Sequence, residues 1–173
     1  MILFVLTCAF LTAANAQLAD SIKAQFIRDW QRAKAYTKDY LEAMPKEKYD
    51  FRAQDSIRTF AQQMLHLAQG NIGLIASGTG AARIWTGQNL EQSKTAQSAD
   101  SVMYYVMASY DYAINSITAM DVSKLLEKTG RANFMETRFA WLNKAFEHQS
   151  HHRGQTTIYI RLVGIKPPNE RLF

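Results

Sequence analysis

One cysteine, Cys8, stands among 173 residues. That scarcity excludes an internal disulfide framework and a zinc site built on thiolates. Proline is nearly as sparse, with three residues at Pro45, Pro167 and Pro168, so the long interval between them contains nothing that forbids helix. Charge of one sign is not concentrated anywhere. The net charge is +5, but Lys and Arg alternate with Asp and Glu, as in Lys38-Asp39 and Lys46-Glu47-Lys48. This pattern describes a solvated helical surface, and no nucleic-acid partner is expected. Internal repeats and low-complexity tracts are also missing. With 47% hydrophobic and 20% charged residues, the chain can close one ordinary core.

The first residues have their own deficit. Met1 to Ala14 carries no charged side chain and ends at Ala14-Asn15-Ala16, a small-x-small site before Gln17. The segment reads as a secretory signal peptide over 1–16, although no basic residue precedes its apolar run. It is shorter than the ~20 residues needed to span a bilayer, so no stable membrane anchor is expected after its removal. Cys8 lies inside it behind Leu6-Thr7, a poor lipoprotein box. The mature chain, 17–173, would then hold no cysteine and would be exported, to the periplasm or beyond.

What remains has helical periodicity. A first helix is expected from about Leu18 to Met44, with Ile22, Phe26, Trp30, Ala33, Tyr40, Leu41 and Met44 as its apolar stripe, and Pro45 ends it. A second opens at Asp55 or Ser56 as N-cap and carries Ile57, Phe60, Met64, Ala68, Ile72 and Ile75 to about Ser77. The third runs from about Ser98 to Met120 and the fourth from about Met135 to Val163, before Pro167-Pro168. No convincing strand is legible. The connection between the second and third helices is the longest, on the order of 20 residues, enough to travel the height of a bundle. The fold expected is all-α, a four-helix bundle with one long crossover, so that helices two and three run parallel.

Histidines supply the chemistry. His148 and His152 lie four apart within EHQSHHRGQ, on one face of the fourth helix and in a row with Trp141, Ala145, Gln155, Tyr159 and Leu162. His66 shares its helical face with Thr59, Gln62, Gly70 and Gly73, a polar or small stripe that faces either bulk water or a cleft. At ~1.5 Å per residue, His66 and the pair reach similar heights if the second and fourth helices are antiparallel neighbours. Three neutral imidazoles leave part of the coordination sphere of a Zn²⁺ or Ni²⁺ ion open, whereas structural zinc is usually closed by four ligands. An open position admits a water or a thiol and acidifies it. His151 points about 100° from His152 and reads as a surface group. Gly154 reads as a point of close helix approach. Gln155, Tyr159 and Glu147 are each either neighbours of the ion or ordinary core and surface residues.

These residues carry a resemblance. An isolated His in the second helix, a His-x-x-x-His pair in the fourth and Arg153-Gly154-Gln155 directly after it resemble the DinB-like family, also typified by YfiT-like proteins. The ending Tyr159 to Ile165 followed by Pro167-Pro168 is similar too, and the likeness covers Leu18 to Pro168. The resemblance implies a four-helix bundle holding a divalent metal ion, zinc or nickel, through His66, His148 and His152. It also implies a metal-dependent enzyme, of hydrolase or thiol S-transferase type, acting on an unknown small molecule. Export would separate such a chain from the cytosolic thiol pool and favours hydrolysis over thiol transfer. The alternatives are a non-catalytic metal- or ligand-binding module and a metal-free helical scaffold. Tyr104, Tyr105, Tyr110 and Tyr112 are either core residues or an aromatic face for a homodimer.

Overall fold

The computed structural model describes the chain except Met1 and Ala132, with backbone alone for residues 2–16 and Arg131. The expected signal segment therefore lies outside the residues whose side chains are described. Among the described residues no helix is long and apolar enough to cross a membrane. Four long helices make up the fold: α1 (Ile2–Ala43), α2 (Phe60–Thr79), α3 (Ala99–Ala119) and α4 (Arg138–Leu162).

Contacts between side chains fix the helix directions. Lys23 reaches Met120 O, Lys34 pairs with Asp111, and Lys46 pairs with Asp100, so α1 and α3 are antiparallel. Phe26 meets Phe139, Trp30 meets Phe146, and Tyr40 bonds Thr157, so α1 and α4 run parallel. Gly78 approaches Leu142, whereas Gln63 bonds His152 and the Arg58 carbonyl accepts from Tyr159, so α2 and α4 are antiparallel. It follows that α2 and α3 are parallel. The segment from 80 to 98 between them is the expected crossover, and the bundle is the one the periodicity implies.

The core sits where the stripes predicted it. Trp30, Leu41, Phe60, Met64, Ile75, Val106, Tyr110, Ile117 and Leu142 are fully buried, and Trp30 packs obliquely on Tyr110 at 5.5 Å and edge-on to Phe146 at 5.8 Å between ring centroids. Ile22 and Phe26 are only partly buried against this cluster. Burial of such side chains supplies most of the stability of a bundle of this kind, at roughly 25 cal/mol per Å² of apolar surface.

Two helix starts differ from expectation for local reasons. α2 opens at Thr59, not at Asp55 or Ser56, because Thr59 and Gln62 form a reciprocal capping box: Thr59 Oγ1 accepts from Gln62 N at 3.2 Å and Gln62 Oε1 accepts from Thr59 N at 3.0 Å. Ile57 is thus left outside the helix and exposed. α4 opens at Arg138, capped by Thr137, whose hydroxyl accepts from Ala140 N at 3.1 Å. The preceding residues form a hairpin that the sequence reading missed, β1 (Lys128–Arg131) antiparallel to β2 (Phe134–Thr137). Trp141 Nε1 donates to Thr129 O at 3.1 Å and ties the hairpin to the base of α4.

Candidate metal centre

The seam between α2 and α4, the most extensively packed helix pair, brings the histidines together. His148 and His152 project from one face of α4, four positions apart. The antiparallel course of α2 sets His66 beside both rings: its centroid lies 5.3 Å from that of His148 and 4.5 Å from that of His152. His148 and His152 are themselves 4.4 Å apart between centroids. One ring nitrogen from each of the three lies within 4.8 Å of the others. This is a group that can hold a metal ion. The polar stripe containing His66 therefore faces a cleft in the bundle wall, not bulk water.

Gly70 makes room for it. A Cβ added there would fall 2.6 Å from His148 Nδ1 and closer still to Cε1, so a side chain one turn after His66 would displace the ring across the seam. Close approach thus falls at Gly70 and not, as expected, at Gly154. Gly154 is exposed and an added Cβ would meet nothing within 4 Å.

Hydrogen bonds orient two of the rings. His66 Nδ1 lies 2.6 Å from Glu91 Oε1, and with Nδ1–H donated to that carboxylate the Nε2 lone pair is left for an ion. Arg58 Nε donates to the other Glu91 oxygen at 2.6 Å. On α4, His152 Nδ1 lies 3.1 Å from Gln155 Oε1 and 2.7 Å from Gln63 Nε2. Gln63 also bonds Gln155 directly. The two contacts call for opposite tautomers: Nδ1 accepts from the Gln63 amide, or donates Nδ1–H to Gln155 Oε1, and the second leaves the Nε2 lone pair for an ion. The electrostatics agree with a ligating role. Burial, reinforced by the neighbouring His66, pulls the His152 imidazole down to about 4, so it is neutral at physiological pH. Burial alone would raise the Glu91 carboxyl, but the hydrogen bonds from Arg58 and His66 outweigh it and hold Glu91 below the usual carboxylate range.

Beside the rings lies a cleft of about 450 Å³, whose lining includes His66, His148, Gly70 and Glu91. Its size suits a small molecule. Gln155 thus serves as an orienting partner of His152, whereas Tyr159 is buried and donates to Arg58 O at 2.8 Å, a helix-to-loop tie. Glu147 is an exposed carboxylate, and His151 is exposed and edge-on to His152 at 4.9 Å. Tyr110 is fully buried, so it offers no surface to a second copy; Tyr104 is 64% exposed. The sequence reading missed Glu91 and Arg58, which come from irregular segments with no periodicity to mark them. Gln63 was missed as well, because it lies on the buried side of α2 and reads as filler.

The family model described as DinB family matches residues 14–171. The chain belongs to the DinB family. Solved DinB-like proteins share the fold. One from Bacillus cereus superposes with a TM-score of 0.71 at 20% identity, covering 84% of this chain and 95% of its own. A second, from Bacillus subtilis, gives 0.61 at 16% identity, covering 86% and 96%. A conserved protein from Enterococcus faecalis gives 0.66 at 16% identity, covering 82% and 96%. No curated protein matches this DinB chain. At these identities the solved structures speak to the bundle and its connections alone, and the His66/His148/His152 arrangement of this DinB protein rests on its own geometry.

Proposed function

We propose that His66, His148 and His152 hold a divalent ion, zinc or nickel, and that the protein is a metal-dependent enzyme of hydrolase or thiol S-transferase type on a small-molecule substrate. The convergence of three imidazole nitrogens within 4.8 Å, at the edge of a cleft, carries this reading. The donor set fits: all three ligands are imidazoles, burial pulls the His152 imidazole down to about 4, and Glu91 and Gln155 offer acceptors for Nδ1–H of two rings, the tautomer that leaves Nε2 to ligate. When bound, a divalent ion supplies Lewis acidity, polarising a carbonyl or acidifying a coordinated water or thiol. The protein's part is to fix the imidazoles, to neutralise Glu91 with Arg58, and to admit the substrate from one side. Export, supported by the apolar segment ahead of Ala14-Asn15-Ala16, favours the hydrolase form.

A second reading, a non-catalytic binding module, draws on one observation. Glu91 is the one carboxylate lining the cleft among the described residues, and it is already engaged by Arg58 and His66, which leaves no obvious general base. Elemental analysis of protein purified without chelators, followed by a screen of esters, amides and thiol-transfer pairs, separates the readings. Turnover that vanishes in His66→Ala supports the enzyme. Metal without turnover across the panel supports the binder, and a metal-free protein that takes up neither zinc nor nickel overturns both.

A further inference from the structure

The outer wall of the cleft is built from the crossover between α2 and α3, and that wall is held in place at several points. Tyr112 on α3 donates its hydroxyl to Ala82 O at 3.1 Å. Trp85 packs edge-on against Tyr105 at 5.1 Å and has φ of 57°, the single positive value at a non-glycine among the described residues. A bulky side chain in the left-handed region is costly and persists only where surrounding contacts impose it. Gln69, one turn beyond His66 on α2, donates to Gln88 O at 2.9 Å and accepts from Leu90 N at 3.0 Å. Arg58 and His66 then hold Glu91 at the end of the segment. Such fixation is what a recognition loop needs, because order established before binding is not charged to the ligand.

Arg83 projects from this wall. It lines the cleft together with His66 and His148, and none of the ion pairs of the described residues includes it. The other charged group lining the cleft outside the histidines, Glu91, is neutralised by Arg58 at 2.6 Å. An exposed guanidinium outside those ion pairs, lining the same cleft as Gln88 and Asn89, is suited to bidentate recognition of an oxyanion. We infer that Arg83 is a specificity-determining residue that selects small molecules bearing a carboxylate or phosphate group, with the rest of the ligand directed at the histidine cluster. This rests on the metal reading above and adds the substrate class to it.

Matched hydroxamates test it on the zinc-loaded full chain: butyrohydroxamate, succinic monohydroxamate and 3-phosphonopropanohydroxamate share a metal-chelating head and differ in the far group. Calorimetric titration is expected to show one or both acidic compounds binding about tenfold or more tighter than the neutral one, as one charge-assisted pair provides. Whichever acid gains more identifies the preferred oxyanion. The preference should survive in Arg83→Lys in part, vanish in Arg83→Ala and reverse in Arg83→Glu, with zinc content equal to wild type throughout. Equal affinities for the neutral and acidic compounds in wild type, or a preference unchanged in Arg83→Ala, would overturn the assignment of Arg83 while leaving the metal reading standing. A chain that binds no zinc would instead remove the premise.

Discussion

α4 carries two polar clusters one residue apart in sequence, and they are built on opposite logic. His148 and His152 face α2; Gln149 and Arg153, rotated by about 100°, face α1 and α3. The second cluster is closed. Gln149 Oε1 accepts from Tyr110 Oη at 2.8 Å and from Arg153 Nη1 at 2.9 Å, Tyr110 and Thr37 share a bond of 2.7 Å, and the Arg153 guanidinium lies 4.5 Å from the centre of the Tyr36 ring. Burial pushes the Tyr110 hydroxyl up to about 12, so it stays a neutral donor. Gln149, Tyr110, Thr37 and Arg153 each answer another member of that cluster. In the histidine cluster, by contrast, Nδ1 of His66 and of His152 is answered by protein while the inward nitrogens converge on one another. A closed network holds helices in register; three imidazoles that converge on one another form a group that could hold an ion.

Breaking one cluster should therefore leave the other's property intact. His66→Ala, a half-buried change, is expected to lower zinc affinity by more than the ~10–100-fold typical of an outer partner, with little change in the helical spectrum; competition with a chromogenic chelator measures it. Gln149→Leu removes the acceptor shared by Tyr110 and Arg153 and strands two buried donors. It should cost about 2–4 kcal/mol in urea unfolding while the folded fraction keeps its metal stoichiometry.

The two glycines sharpen the contrast. Gly70→Ala should displace the His148 ring and weaken zinc binding about tenfold or more, since the inward nitrogen moves off the common point. Gly154→Ala enters open space and should raise stability by roughly 0.5–1 kcal/mol with no effect on zinc. Paired denaturation and chelator-competition curves read both.

Acid gives the smallest effect. His152 binds its proton less readily folded than unfolded, with the folded value near 4 against an ordinary 6.5. Between those values the unfolded chain holds more protons, so this contribution is complete above about pH 6.5 and is lost as pH falls towards 4. The lowered Glu91 carboxyl acts in the same direction at lower pH, its contribution present above its unfolded value and lost as the carboxylate protonates. Melting temperatures of the metal-free protein should fall across this window, and His152→Gln should flatten the upper part of the slope.

Much of this was legible in the chain itself. The stripes of Trp30, Met64, Val106 and Trp141 disclosed four helices because burial selects apolar residues at helical spacing, and the long interval after Gly80 disclosed the crossover. His148 and His152 were legible because their spacing interrupts a core-facing row, whereas His66, on a polar or small stripe, joined them only through helix height and the family resemblance. Glu91 and Arg58 were not, since each reaches the site from an irregular segment whose path depends on tertiary contacts. The hairpin was hidden for a related reason: Lys128 to Arg131 and Phe134 to Thr137 are too short to show alternation against the helix that follows. Thr59 as N-cap was readable, through Gln62 three residues on, but Asp55 and Ser56 competed for the same role.

X-ray absorption at the metal edge of zinc-loaded protein tests the central claim most directly. About one ion per chain, with three imidazole nitrogens in its coordination shell and a lighter-atom donor completing it, is the predicted result; in His66→Ala the imidazole count should fall. A spectrum without imidazole, or one identical in wild type and His66→Ala, would contradict a shared ion at His66, His148 and His152.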